Sequence, residues 1–120
     1  MRKMILAASL LALAFPAAAA NYPVAGKWGV NPPPPAVKGP VDCSKLRVIA
    51  FNGDQRTDSK GGVAAYRNVS VTPAGGGYRI TDQFSNGQVA NAHVTYTLRV
   101  VDADHAEMQQ AGTLKLQRCK

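Results

Sequence analysis

The chain has 120 residues, with 14 Lys and Arg against 7 Asp and Glu for a net charge of +7, 46% hydrophobic residues and 2 cysteines. That length holds one small domain, near the lower end of what a single core can fold. The cations are dispersed along the sequence, which excludes the basic stripe of a nucleic-acid binder and predicts a solvated surface that favours anionic partners such as outer-membrane glycolipid.

The first 20 residues, MRKMILAASLLALAFPAAAA, open with Arg2 and Lys3, run apolar from Met4 to Phe15, break at Pro16 and close on four alanines. This is the layout of a cleaved secretory signal helix, residues 1–20. The apolar run falls short of the roughly 20 residues that span hydrocarbon, and no cysteine stands at the cleavage site for a lipid. The expected product starts at Asn21, is periplasmic or secreted, and has no stable membrane anchor. It retains 100 of the 120 residues and, with Arg2 and Lys3 removed, a charge of +5. Residues 21–42 read as an N-terminal strand with a Pro-rich connector and residues 43–120 as an antiparallel meander, together one domain over 21–120.

The first strand of that domain carries the sole tryptophan inside a G-x-W, Gly26-Lys27-Trp28. Residues 31–40, with Pro32 to Pro35 and Pro40, predict a stiff polyproline II connection across the barrel end, because successive prolines fix φ and lack amide donors. Cys43 and Cys119 are the only cysteines. In an oxidising compartment they predict one disulfide, closing 76 residues and contributing about 4–5 kcal/mol by loop entropy. Without a C-x-x-C or a neighbouring histidine they do not read as a redox or metal pair.

Strand signals follow over 46–51, 66–71, 78–84, 90–100, 106–110 and 113–118. FNGDQRTDSKGG, residues 51–62, is polar and glycine-containing and predicts a mobile hairpin connection or lid. Residues 73–77 predict a glycine-rich reversal, Asn86-Gly87 a two-residue hairpin, and residues 102–105 a tight turn. In the third of these strands Tyr78, Ile80, Asp82 and Phe84 share one face. Asp82 therefore ends the buried stretch at the barrel rim or sits inside with a cationic partner, for which Arg118 is a candidate. His105, with Asp102, Asp104, Glu107 and Met108, reads as solvated turn charge, because Glu107 and Met108 point oppositely on a strand; no metal is expected.

The fold expected is all-β: a small antiparallel meander closing into a barrel with one disulfide, since a one-sided sheet must cover its apolar face. Parity from Leu114 and Leu116 aims Arg118 at the edge of the core and Cys119 away from it. A guanidinium over the Trp28 indole would join the first strand to the last.

Gly26, Trp28 and Arg118 resemble the pattern of the lipocalins and wider calycins, in which an arginine of the last strand packs over the tryptophan of the first. The short length is also similar to bacterial periplasmic inhibitors of secreted metalloproteases, compact barrels with a G-x-W start, an early cysteine and an N-terminal segment that blocks the protease cleft. Their disulfide closes a short loop, whereas here the second cysteine stands at the extreme C-terminus.

No catalytic residue or cofactor is expected. Ser44, Ser59, Ser70 and Ser85 lack a nucleophile-elbow or S-x-x-K context, and Gly75 to Gly77 is turn chemistry rather than a phosphate loop. The reading is an exported, non-catalytic binding protein that recognises a protein or envelope partner through barrel-end loops. One alternative carries a small apolar ligand in an interior lined by Tyr66, Tyr78, Ile80, Phe84, Val94, Tyr96 and Leu98, with Asp82 orienting it. Another inhibits a secreted protease through the arm 21–24. A barrel this small can be filled by its own side chains, which favours surface binding.

Overall fold

The structure, a computed structural model, describes residues 21–60, 65–85 and 92–120. The signal segment 1–20 and the Asn86-Gly87 hairpin turn lie outside the described residues. Eight strands follow in chain order: β1 (Gly26–Val30), β2 (Val48–Asn52), β3 (Gln55–Asp58), β4 (Ala65–Ala74), β5 (Gly77–Phe84), β6 (His93–Asp102), β7 (His105–Gln109) and β8 (Thr113–Arg118). Each pairs antiparallel with the next, and β1 pairs with β8 to close the barrel. Closure gives every described strand a neighbour on both sides, which removes the edge strands of an open sheet.

The inward parity fills the lumen. Trp28, Ile49, Phe51, Ile80, Leu98, Met108 and Leu116 are buried together, with Tyr96 and Ala106 among them. At roughly 25 cal/mol per Å² of apolar surface removed from water, these side chains are the main favourable contribution to folding.

Two turns show how local sequence sets the register. Gly75 and Gly76 both have positive φ, +53° and +86°, so a two-residue turn joins β4 to β5 directly. Such a turn suits the right-handed twist of its flanking strands. Pro73, expected in the reversal, therefore lies within β4, opposite Tyr78. β4 also carries a bulge at Val69, between Asn68 and Ser70, which lets both Asn68 and Val71 face inward.

Of the stretch 51–62, expected as a hairpin connection or lid, the described part 51–60 is itself a strand hairpin: β2 ends at Asn52, Gly53 and Asp54 turn, and β3 occupies Gln55–Asp58. Its alternation is real but polar on both faces, with Arg56 and Asp58 buried and Gln55 and Thr57 exposed. A pattern search for apolar residues cannot see such a strand.

The proline-rich segment likewise departs from its expected course. It does not span the barrel end but runs along the outside of the wall over β7 and β8, and it holds a cis peptide bond between Pro34 and Pro35 where polyproline II is all-trans. Past the end of β7 it inserts Val41 beside the chain end, in a parallel bridge to Cys119. The chain then joins Cys43 to Cys119 by the disulfide, with Cα atoms 5.6 Å apart, and crosses the outer face of β1 to enter β2. Gly29 permits that crossing: a Cβ there would lie 2.7 Å from Leu46 Cδ1 and 2.8 Å from Cys43 Sγ.

Candidate functional site

Two features stand apart from ordinary packing: a charged cluster inside the barrel and a groove outside it.

The cluster is centred on Asp82, which is fully buried. Its Oδ2 accepts hydrogen bonds from Arg56 Nε at 2.7 Å and from the Tyr96 hydroxyl at 2.8 Å, and its Oδ1 accepts one from Asn68 Nδ2 at 3.2 Å. The Arg56 guanidinium lies 3.8 Å from the centroid of the Tyr66 ring and 5.0 Å from that of Tyr96. Tyr66 in turn meets Phe84 edge-on at 5.1 Å. Four sequence candidates, Tyr66, Asp82, Phe84 and Tyr96, thus converge, while Tyr78 packs against the apolar core instead.

The partner of Asp82 is Arg56 and not the candidate Arg118. Arg56 escaped sequence reasoning because it lies in the stretch read as a loop; the signal available was that a buried carboxylate needs a cation from a facing strand. Burial pushes the Tyr96 hydroxyl up, far above the ordinary tyrosine value, and the Asp82 charge adds to the effect. Tyr96 therefore stays protonated and donates.

Above this cluster sits Tyr22, from the segment before β1. Its amide donates to Gly53 O at 3.0 Å, and its ring packs edge-on against Phe51 at 4.9 Å. The hydroxyl is buried and makes no hydrogen bond among the described residues, and the same holds for Asn68 Oδ1. Burial, then the Asp82 charge, raise the Tyr22 pKa as well. The arm is thus a stopper over the barrel interior, and the interior is occupied by protein.

Arg118 closes the seam. Its guanidinium lies 4.5 Å from the Trp28 ring centroid, and it donates to Ala25 O and Ala103 O at 3.1 and 3.0 Å. Gly26, at φ +94°, leaves room for it, since a Cβ there would stand 3.0 Å from Arg118 Nη1. The three residues of the G-x-W and late-arginine pattern therefore form one structural clasp, a cation–π contact worth about 1 kcal/mol.

The groove lies between the proline-rich strap and the outer faces of β7 and β8, with a volume of about 670 Å³. Asn31, the one described non-glycine residue with positive φ, turns the chain out of β1, and its Oδ1 accepts from Lys115 N at 2.8 Å. Gln117 pins the far end: its Nε2 donates to both Val37 O at 2.8 Å and Gly39 O at 2.7 Å. One rim carries Pro32 to Pro35 and Val37, the other Val101 and Asp102 at the β6–β7 turn, and His105, Glu107 and Lys115 reach in from the wall. Val37 and Val101 are 48% and 49% exposed. His105 Nδ1 lies 2.8 Å from Asp102 Oδ1, and that contact leads in holding the Asp102 carboxyl below the usual carboxylate range.

No family model, curated protein or solved structure matches this chain.

Proposed function

We propose that the protein is an exported, non-catalytic binding module of the periplasm or extracellular space that holds an extended segment of an envelope protein in the groove under the strap. The observation that carries this reading is the contrast between inside and outside. The lumen is filled by Trp28, Ile49, Ile80 and Leu98 and by the Arg56–Asp82 pair, while the groove presents exposed Val37 and Val101 beside a row of proline rings. Exposed apolar side chains rimmed by polar ones mark interaction surfaces. The compartment agrees with the disulfide, which persists in oxidising surroundings, and with the basic-then-apolar start of the chain. The lipocalin-like character rests on Gly26, Trp28 and Arg118 in an eight-stranded antiparallel barrel.

The filled lumen weighs against an apolar ligand carrier. The burial of Tyr22 weighs against an arm that projects into a protease cleft. Site-specific photocrosslinking in the producing cell separates these readings. A photoreactive residue at position 37 or 101 should give a discrete protein adduct, absent from position 27 on the outer face of β1. Equal adducts at all three positions, or none, would sink the groove as the recognition site.

A further inference from the structure

The register gathers on one outer wall the cations that the linear sequence disperses. Thr72, Arg79, Thr97, Gln109 and Thr113 stand side by side across β4 to β8. The row on one side holds Ser70, Thr81 and Thr95, and the row on the other Arg99, Glu107 and Lys115. Arg67 faces outward from the start of β4.

The acidic residues stay off this wall. Asp58 and Asp82 are buried in pairs with Arg47 and Arg56. Asp42 lies in the connector, Asp54 in the β2–β3 turn, and Asp102 and Asp104 at the β6–β7 turn. Glu107 is the sole exception, and it accepts from Arg99 Nη2 at 2.8 Å. Arg67 and Arg79 make no ion pair or side-chain hydrogen bond among the described residues.

We propose that this wall binds an extended polyanionic polysaccharide bearing carboxylates. Threonine hydroxyls and a glutamine amide match sugar hydroxyls, and free guanidiniums match carboxylates, which they bind in a bidentate fashion. Neighbouring strands about 4.8 Å apart repeat the hydroxyl and amide groups at close to the rise of one pyranose in an extended chain, with Arg79 among them and Arg67 further along β4. Val69 at the β4 bulge is a single exposed valine and His93, two strands from Arg67 in the same row, a single imidazole, which make neither an apolar patch to enter a bilayer nor a platform on which successive nucleobases would stack. Charge complementarity on a polar face therefore selects a glycan chain over a membrane or a nucleic acid. This goes beyond the groove reading and does not depend on it, since Arg67 and Arg79 do not line the groove.

The test is calorimetric titration of the folded, oxidised protein with hexagalacturonate, with neutral maltohexaose and anionic phospholipid vesicles as comparison ligands. Saturable binding to hexagalacturonate alone, weakened tenfold or more in Arg67→Gln/Arg79→Gln and less than twofold in Lys27→Gln/Lys120→Gln, is the expected result. Both double variants remove the same charge, so equal weakening would mean that only net charge matters and would overturn the proposal. Absence of saturable binding, or tighter binding to the vesicles or to maltohexaose, would overturn it as well.

Discussion

Asp82 accepts three hydrogen bonds in a place with no solvent contact, so its removal strands the Arg56 guanidinium inside the barrel. Asp82→Ala should lower the unfolding free energy by about 3–5 kcal/mol in a denaturant titration. Arg56→Met combined with Asp82→Leu should restore most of it, because the cost lies in the uncompensated charge and not in losing the pair itself. Tyr22→Phe should act in the other direction. It removes a buried hydroxyl that makes no hydrogen bond while keeping the ring against Phe51, and should raise stability by about 1 kcal/mol in the same assay. At Asp58, burial works to raise the carboxyl pKa, but two hydrogen bonds from Arg47, at 2.9 and 2.6 Å, and one from the Lys60 amide outweigh it and leave the pKa below its usual value. A carboxyl with a depressed folded pKa contributes stability that is present above the unfolded carboxylate range and lost as pH falls through the folded value. The stability gap between the wild type and Asp58→Asn should accordingly be widest near neutrality and close on acidification below the carboxylate range, as followed by urea midpoints across pH.

At the scale of elements, the strap is held by three kinds of contact: the two Gln117 amide bonds, the Val41 bridge and the crossing over Gly29. Gly29→Val would drive a side chain into Leu46 and the disulfide sulfur, and should cost about 1–3 kcal/mol by overpacking while leaving the barrel strands paired. Amide exchange should then rise at Val41 and Leu46 ahead of Ile49 and Leu98. Strands whose core face is apolar were legible from the chain alone; β8 spans Thr113–Arg118 as its alternation of Leu114 and Leu116 with polar residues predicts. β3 was illegible because its inward residues are Arg56 and Asp58, accepted only because Asp82 of β5 and Arg47, just ahead of β2, supply the counter-charges. The same blindness hid the site. Asp82 was recognisable as a carboxylate on the core-facing parity, at the rim or inside, but a partner 26 positions away is set by register, which hydrophobic periodicity leaves open. The strap's outer path was hidden too, because composition reports stiffness and not which side of a wall a segment takes.

For the whole molecule, the disulfide joins a chain of modest core to its own end. Reducing it, or replacing Cys119 by Ser, should lower stability by about 4–5 kcal/mol on the loop-entropy estimate for the 76 residues enclosed, a large share of what a domain of this size possesses. Thermal unfolding with and without reductant measures this directly. The placement of that bond also divides the barrel unequally. The covalent ring from Cys43 to Cys119 contains β2 to β8, whereas β1 and the strap lie before it. Under tension between the two chain ends, only residues outside that ring, before Cys43 or after Cys119, can lengthen, at no more than about 3.5 Å each. β1 peels away from β2 and β8, the Trp28–Arg118 clasp opens, and the extension halts at the sulfur bridge with seven strands shielded from the load.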